Sequence, residues 1–143
     1  MRAALAEAGA ALAAADVPVG AVVLDASGVM VASGRNRREA DGDPTAHAEI
    51  LAIRAAARAG GGWRLDGHTL VVTLEPCTMC AGAITAARLS RLVYGAADPR
   101  AGAVGSLWDV VRDQRLTSAP EVISGVLADE CRSILQTFFG QRR

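Results

Sequence analysis

Short apolar runs alternate with longer alanine-rich stretches along this chain. Residues 3–15 are rich in alanine, the strongest helix former, with Leu5 and Leu12 as a thin apolar stripe. Pro18 ends that segment, and residues 19–24 (VGAVVL) form an apolar run of strand length. Turn chemistry at 25–28 (DASG) and a second apolar run at 29–33 predict a hairpin. Residues 34–43 (GRNRREADGD) are polar and lack a period, which predicts a loop. Pro44 suits a first helical position, with Asp43 or Thr45 as cap, so a helix is expected from there through EILAIRAAARAG to the glycines at 60–62. Residues 69–74 predict a third strand, 77–88 a helix opened by Pro76, and 91–95 a fourth strand. A Gly/Pro/Ala loop follows at 96–105, then a short helix at 106–112, a last strand at 122–124 and a C-terminal helix at 127–139. Strands alternating with helices predict an α/β protein, one sheet with helices on both faces. No repeat or linker interrupts the pattern, so residues 1–143 are expected to form a single domain.

Composition adds little to that outline but removes several functions. A chain of 143 residues can bury about two thirds of the surface it exposes when unfolded, so it needs no disulfides to fold. The 15 basic residues are all arginine and are balanced by 15 acidic ones, which leaves no bulk electrostatic footprint for nucleic acid. Glu7 and Gly9 interrupt an otherwise signal-like N-terminus. No apolar run approaches the roughly 20 residues of a membrane span. The expectation is a cytoplasmic protein with no membrane partner.

The chemistry concentrates in two short motifs. Cys77 and Cys80 lie in PCTMC, directly after a predicted strand, at i and i+3 of a helical first turn, so both sulfurs share one face. A helix N-terminus carries partial positive charge and favours thiolate, the form that binds metal. His47 and Glu49 lie in TAHAEI, near the start of another helix. Two helix starts can converge beyond the carboxyl edge of a sheet, where open α/β folds place their sites. His47, Cys77 and Cys80 then make three zinc ligands. A structural zinc site has four protein ligands, and a catalytic one keeps a position for water. At roughly 3.3 Å per residue, a strand over 69–74 puts His68 too far away to be the fourth, and Cys131 reads as a core thiol in the last helix. Zinc lowers the pKa of bound water toward about 7, and Glu49 is positioned to shuttle its proton.

HxE followed by PCxxC is the signature of zinc-dependent nucleoside and nucleobase deaminases. VPVGAVV, GRNRRE, DPTAHAEI, TLEPCTMCAGAI, GSLWDV and GVLADEC, in that order, resemble the bacterial tRNA adenosine deaminases of the cytidine/deoxycytidylate deaminase superfamily. The likeness runs from the first helix to the last arginines. It implies a cytidine-deaminase-like three-layer sandwich around a mixed five-stranded sheet. It also implies hydrolytic deamination of adenosine to inosine at the anticodon wobble position of an arginine tRNA. His47, Cys77 and Cys80 would hold one zinc ion per subunit, and Glu49 would protonate N1 of adenine and then the departing amine as water attacks C6. The partners implied are a tRNA anticodon stem-loop and a second copy of the chain in a homodimer.

The same resemblance assigns the substrate contacts. Asn36 matches the asparagine that touches the flipped nucleotide; taken alone it reads as a loop residue tolerant of a left-handed turn. Val19 would wall the base pocket or pack the core. Asp98 would accept from a ribose 2′-OH or simply form the Asp-Pro turn. Phe138, Phe139, Arg142 and Arg143 in FFGQRR would meet the anticodon loop, with one ring inward and one outward. Two other readings stay open on the residues alone. One keeps the site but changes the substrate to a free base or nucleoside, such as guanine, cytosine or cytidine. The other is a structural-zinc binding module with four protein ligands and no activity.

Overall fold

The computed structural model of the chain describes residues 1–141. Its five strands are β1 (Gly20–Leu24), β2 (Met30–Arg35), β3 (Thr69–Leu74), β4 (Arg91–Ala96) and β5 (Glu121–Ile123). Its helices are α1 (Arg2–Ala13), α2 (Arg38–Asp41), α3 (Ala48–Gly60), α4 (Thr78–Ala86) and α5 (Ala128–Gln141). The strands form one mixed sheet in the order β2-β1-β3-β4-β5. The pairs β1–β2 and β1–β3 are antiparallel, while β3–β4 and β4–β5 are parallel.

Alternation along the strands decides which helix covers which face. Val22 and Val71, register partners on β1 and β3, point to the side of α1 and cluster with Ala4. Their neighbours Ala21, Val23, Leu70 and Val72 point the other way, into the main core with Ala48, Ala52 and Ile53 of α3 and Ala81 and Ile84 of α4. Helices α1 and α5 thus share one face and α3 and α4 the other, the expected three-layer sandwich.

Small side chains set the layer spacing. The buried positions of α1 are Ala4, Ala8 and Ala11; Leu5 and Leu12, the expected stripe, are only half-buried. A close helix–sheet approach rewards the smallest side chain over the most apolar one. On the other face, α3 lies so near β2 that a Cβ on Gly34 would sit 2.6 Å from the Ala48 carbonyl oxygen and 2.7 Å from the Ala52 nitrogen.

Three local expectations are corrected. Helix α3 begins at Ala48, not near Pro44, with His47 as its N-cap in extended geometry. Asp43 instead accepts from the Thr45 amide and hydroxyl, a turn that uses those donors before a helix could. Residues 106–112 are not helical: Val104 and Asp109 form an isolated bridge, and the Ser106 amide is taken by a carboxylate described below. The loop 34–43 contains the end of β2 and the one-turn α2.

The parallel strands β3 and β4 end at one edge of the sheet. Antiparallel pairing brings the start of β1 and the end of β2 to the same edge, with Gly20 opposite Arg35 and Ala21 opposite Val72. The buried Thr73 hydroxyl accepts from the Gly20 amide at 3.2 Å and ties β1 to β3 there. The connections leaving this edge carry the candidate residues.

Candidate active site

His47 and Cys77 are each the N-cap of a helix, α3 and α4, with extended backbone that turns the side chain back over the helix start. Cys80 lies one turn into α4 and is fully buried. The three donor atoms converge within 4.8 Å of one another. His47 Nδ1 is 3.7 Å from Cys77 Sγ and 3.5 Å from Cys80 Sγ. Zinc bound tetrahedrally to nitrogen at about 2.0–2.1 Å and to sulfur at about 2.3 Å separates those donors by about 3.5 Å. The donor set therefore fits zinc in chemistry and in spacing, through Nδ1 of His47. Among the described residues, no fourth histidine, cysteine or carboxylate joins the group. His68 bonds the Asp66 carbonyl oxygen through Nδ1 before β3 begins, and Cys131 is buried on α5.

Protonation follows the geometry. A hydrogen bond from Cys80 holds Cys77 far below the ordinary thiol range, against the opposing effect of burial, and His47 adds to the shift. Cys77 is thus held as thiolate. Glu49, the second residue of α3, is 4% exposed. Burial raises its pKa to about 7, where a carboxyl group can both take and give a proton near neutrality.

His47, Glu49 and Cys77 line a cavity of ≈ 200 Å³. Val17, Val19, Asn36 and Arg38 from the first half of the chain, and Leu74, Glu75, Asp98 and Ala101 from further along it, complete the lining. Val19, Asn36 and Asp98 are thus brought together with the metal-ligand cluster. Asn36 is buried, and its amide nitrogen donates to Asp16 Oδ1 and the Val17 carbonyl, both at 3.2 Å. Asp98 Oδ1 accepts from the Arg100 amide at 2.9 Å, so the turn-forming reading of Asp98 holds alongside its place in the wall.

The α5 residues lie elsewhere. Phe138 is 4% exposed and packs edge-on against Phe139, which is 49% exposed. One ring is inward and one outward, as expected, and burial takes Phe138 out of the set that can meet a ligand. Phe139 borders a shallow groove with Arg132, Leu135 and Gln136. Arg142 and Arg143 lie outside the described residues.

The sequence reading does not single out two buried carboxylates, Asp16, which holds a pocket residue, and Glu75, which lines the pocket itself. Asp16 accepts from the Asn36 side chain and from the Glu39 and Ala40 amides, capping α2. Glu75 accepts from three backbone amides and the Ser106 hydroxyl. Burial alone would raise its pKa, but those bonds outweigh it and hold Glu75 below the usual carboxylate range. The available signal was a carboxylate between an apolar strand and a proline, in LEPC, with no basic residue nearby in sequence.

Comparison with known proteins agrees with this geometry. Residues 1–96 match the family described as the cytidine and deoxycytidylate deaminase zinc-binding region. The chain is 49% identical over 143 residues to the tRNA-specific adenosine deaminase of Haemophilus influenzae, covering 100% of this chain and 83% of that one. A solved structure from work on A-to-I editing by tRNA:A34 deaminases at the wobble position superposes with a TM-score of 0.91 at 47% identity, over 94% of this chain and 97% of that one. The guanine deaminase of Nitrosomonas europaea superposes at 0.81 and 28% identity, over 97% and 82%. On the extent of these matches, the chain belongs to the cytidine and deoxycytidylate deaminase family of zinc-binding proteins.

Proposed function

We propose that this protein is a zinc-dependent hydrolase that converts adenosine to inosine at the wobble position of a tRNA anticodon, with an arginine tRNA as substrate. The observation that carries the chemistry is the convergence of one imidazole and two thiols beside a buried carboxyl group in a single cavity. The choice of substrate is supported by likeness over nearly the whole chain, which is greater toward the tRNA:A34 deaminase than toward the guanine deaminase.

His47, Cys77 and Cys80 would hold the ion, one per subunit. When bound, zinc supplies a water whose pKa falls toward about 7. Glu49 takes a proton from that water and delivers it to N1 of adenine, which makes C6 electrophilic as oxygen adds there. Glu49 then takes the remaining proton from the oxygen added at C6 and passes it to the C6 amino group, which leaves as ammonia while C6 becomes the carbonyl of inosine. The balance is adenosine plus water to inosine plus ammonia. Val19 packs against the base, Asn36 and Asp98 hold the nucleotide, and Phe139, Arg142 and Arg143 meet the anticodon loop. Exposed Leu107 and Trp108, at 50% and 53%, suit burial in a homodimer. No helix among the described residues is long and apolar enough to cross a membrane, which is compatible with work on tRNA in the cytoplasm.

The test is incubation of the zinc-loaded protein with an arginine-tRNA anticodon stem-loop, with guanine, cytosine and cytidine in parallel. Inosine in the stem-loop is expected. Turnover of a free base or nucleoside with an untouched stem-loop would replace this reading with a small-molecule deaminase.

A further inference from the structure

The mechanism leaves one buried ionisable group of the pocket without a task. Glu75 lies between the end of β3 and Cys77 and is 2% exposed. It is not a member of the metal cluster. Its Oε2 accepts from the Asp98 amide at 2.9 Å and from the Ser106 hydroxyl. Its Oε1 accepts from the Val104 and Ser106 amides, both at 3.0 Å. All four donors belong to the segment that follows β4, and that segment supplies Asp98 and Ala101 to the pocket wall.

The segment closes around the carboxylate. The Gly102 amide donates to the Asp98 carbonyl at 2.9 Å, and the Ala103 amide to the Pro76 carbonyl at 2.8 Å. A Cβ on Gly102 would lie 2.4 Å from Glu75 Cδ and 2.5 Å from the Asp98 carbonyl oxygen. The glycine is required by that approach, since its space is filled by the carboxylate and the turn. Four donors on one buried carboxylate fix the segment at both its ends, where a helix or a strand would otherwise be needed to satisfy the amides.

We infer that Glu75 is a positioning residue for the substrate: through the amides of Asp98, Val104 and Ser106 it sets the part of the pocket lining, Asp98 and Ala101, that grips the nucleotide. This deepens the function proposed above and rests on it. Glu75 reaches the substrate only through that segment. Loosening the clamp therefore weakens the grip on the nucleotide more than it slows the proton transfers at Glu49.

The test uses the zinc-loaded protein, two disrupting variants that leave Glu75 in place, and one restoring variant. Ser106→Ala removes one donor. Gly102→Ala forces the segment off the carboxylate. For Gly102→Ala, KM for the stem-loop is expected to rise at least tenfold while kcat falls less than threefold, with the parent's zinc content. For Ser106→Ala, a KM increase of about threefold is expected, reversed by Ser106→Thr, which restores a hydroxyl. Hydrogen exchange at the amides of residues 98, 104 and 106 should quicken in both variants, while amides in α3 keep their parent rates. Unchanged exchange at those three amides overturns the clamp. Quickened exchange with unchanged KM overturns the role in substrate grip, as does an equal fall in kcat at parent KM. A parent protein inactive on the stem-loop overturns the proposed function and the substrate half of this inference with it. The exchange rates still decide whether Glu75 holds the segment.

Discussion

The pocket and the C-terminal helix are built on opposite terms. In the pocket, each reacting group leaves the backbone at a helix start and is enclosed by its surroundings, so position and protonation are set before any ligand arrives. Cys77 is held as thiolate by Cys80, and Glu49 is lifted to about 7 by burial. On α5, the Arg132–Asp129 pair is open to water and Phe139 is half exposed, so their final geometry depends on what they meet. Burial makes a group reactive and singular; exposure leaves it adaptable. A catalytic step asks for the first property, and a grip on a flexible RNA loop makes use of the second.

The sharpest division is expected at Glu49. Glu49→Ala should lower kcat/KM by about 10²–10⁴-fold, the usual worth of a positioned acid–base group, with zinc content unchanged by metal analysis. Lost zinc, or retained turnover, would erase the distinction between holding the ion and moving the proton. A smaller effect follows at Asp16, which belongs to the buried side of the comparison but to no chemical step. Asp16→Ala removes the acceptor of the Glu39 and Ala40 amides and one of the two acceptors of the Asn36 amide, which keeps the Val17 carbonyl. At about 0.5–1.5 kcal/mol per hydrogen bond lost, a loss on the order of 2 kcal/mol in urea unfolding is expected. A loss under about 1 kcal/mol would mean that wall is adaptable too.

The exposed side is tested more gently. Phe139→Ala should raise KM for the stem-loop roughly 5- to 150-fold, since stacking of one base contributes about 1–3 kcal/mol, with zinc content and melting temperature near the parent's. No change in KM would remove α5 from recognition. The smallest effect belongs to the Arg91–Glu121 pair that links β4 to β5, 2.8 Å apart with both side chains about half exposed. Arg91→Ala should cost less than about 1 kcal/mol in the same unfolding assay. A larger loss would show that an exposed pair of this fold can act like a buried one.

The division also explains what could be read from the sequence. The strands are short apolar runs of strand length bounded by turn residues, and each residue proposed to hold zinc sits in a motif of a few residues, so both are legible locally. The misread places owe their structure to partners distant in sequence. Residues 106–112 have helical composition, but their first amide is claimed by Glu75, about 30 positions earlier. The start of α3 looked like Pro44 because the competing Asp43–Thr45 turn satisfies the same donors. The alanine stripe of α1 was outvoted by two leucines because no local rule states how closely a strand will pass. Asp16 and Glu75 were passed over because a lone acidic residue betrays its burial only once the loops around it are folded.

The contact between Gly34 and α3 carries one more consequence. The helix that delivers His47 and Glu49 rests directly on a strand at a position with no side chain, so the missing methyl acts as a spacing gauge for the whole reaction centre. A laboratory library that varies every position should find Gly34 nearly as intolerant as the ligands themselves, although it touches neither ion nor nucleotide. Tuning the enzyme for a new base is therefore better attempted at the residues that line the pocket than where α3 meets β2.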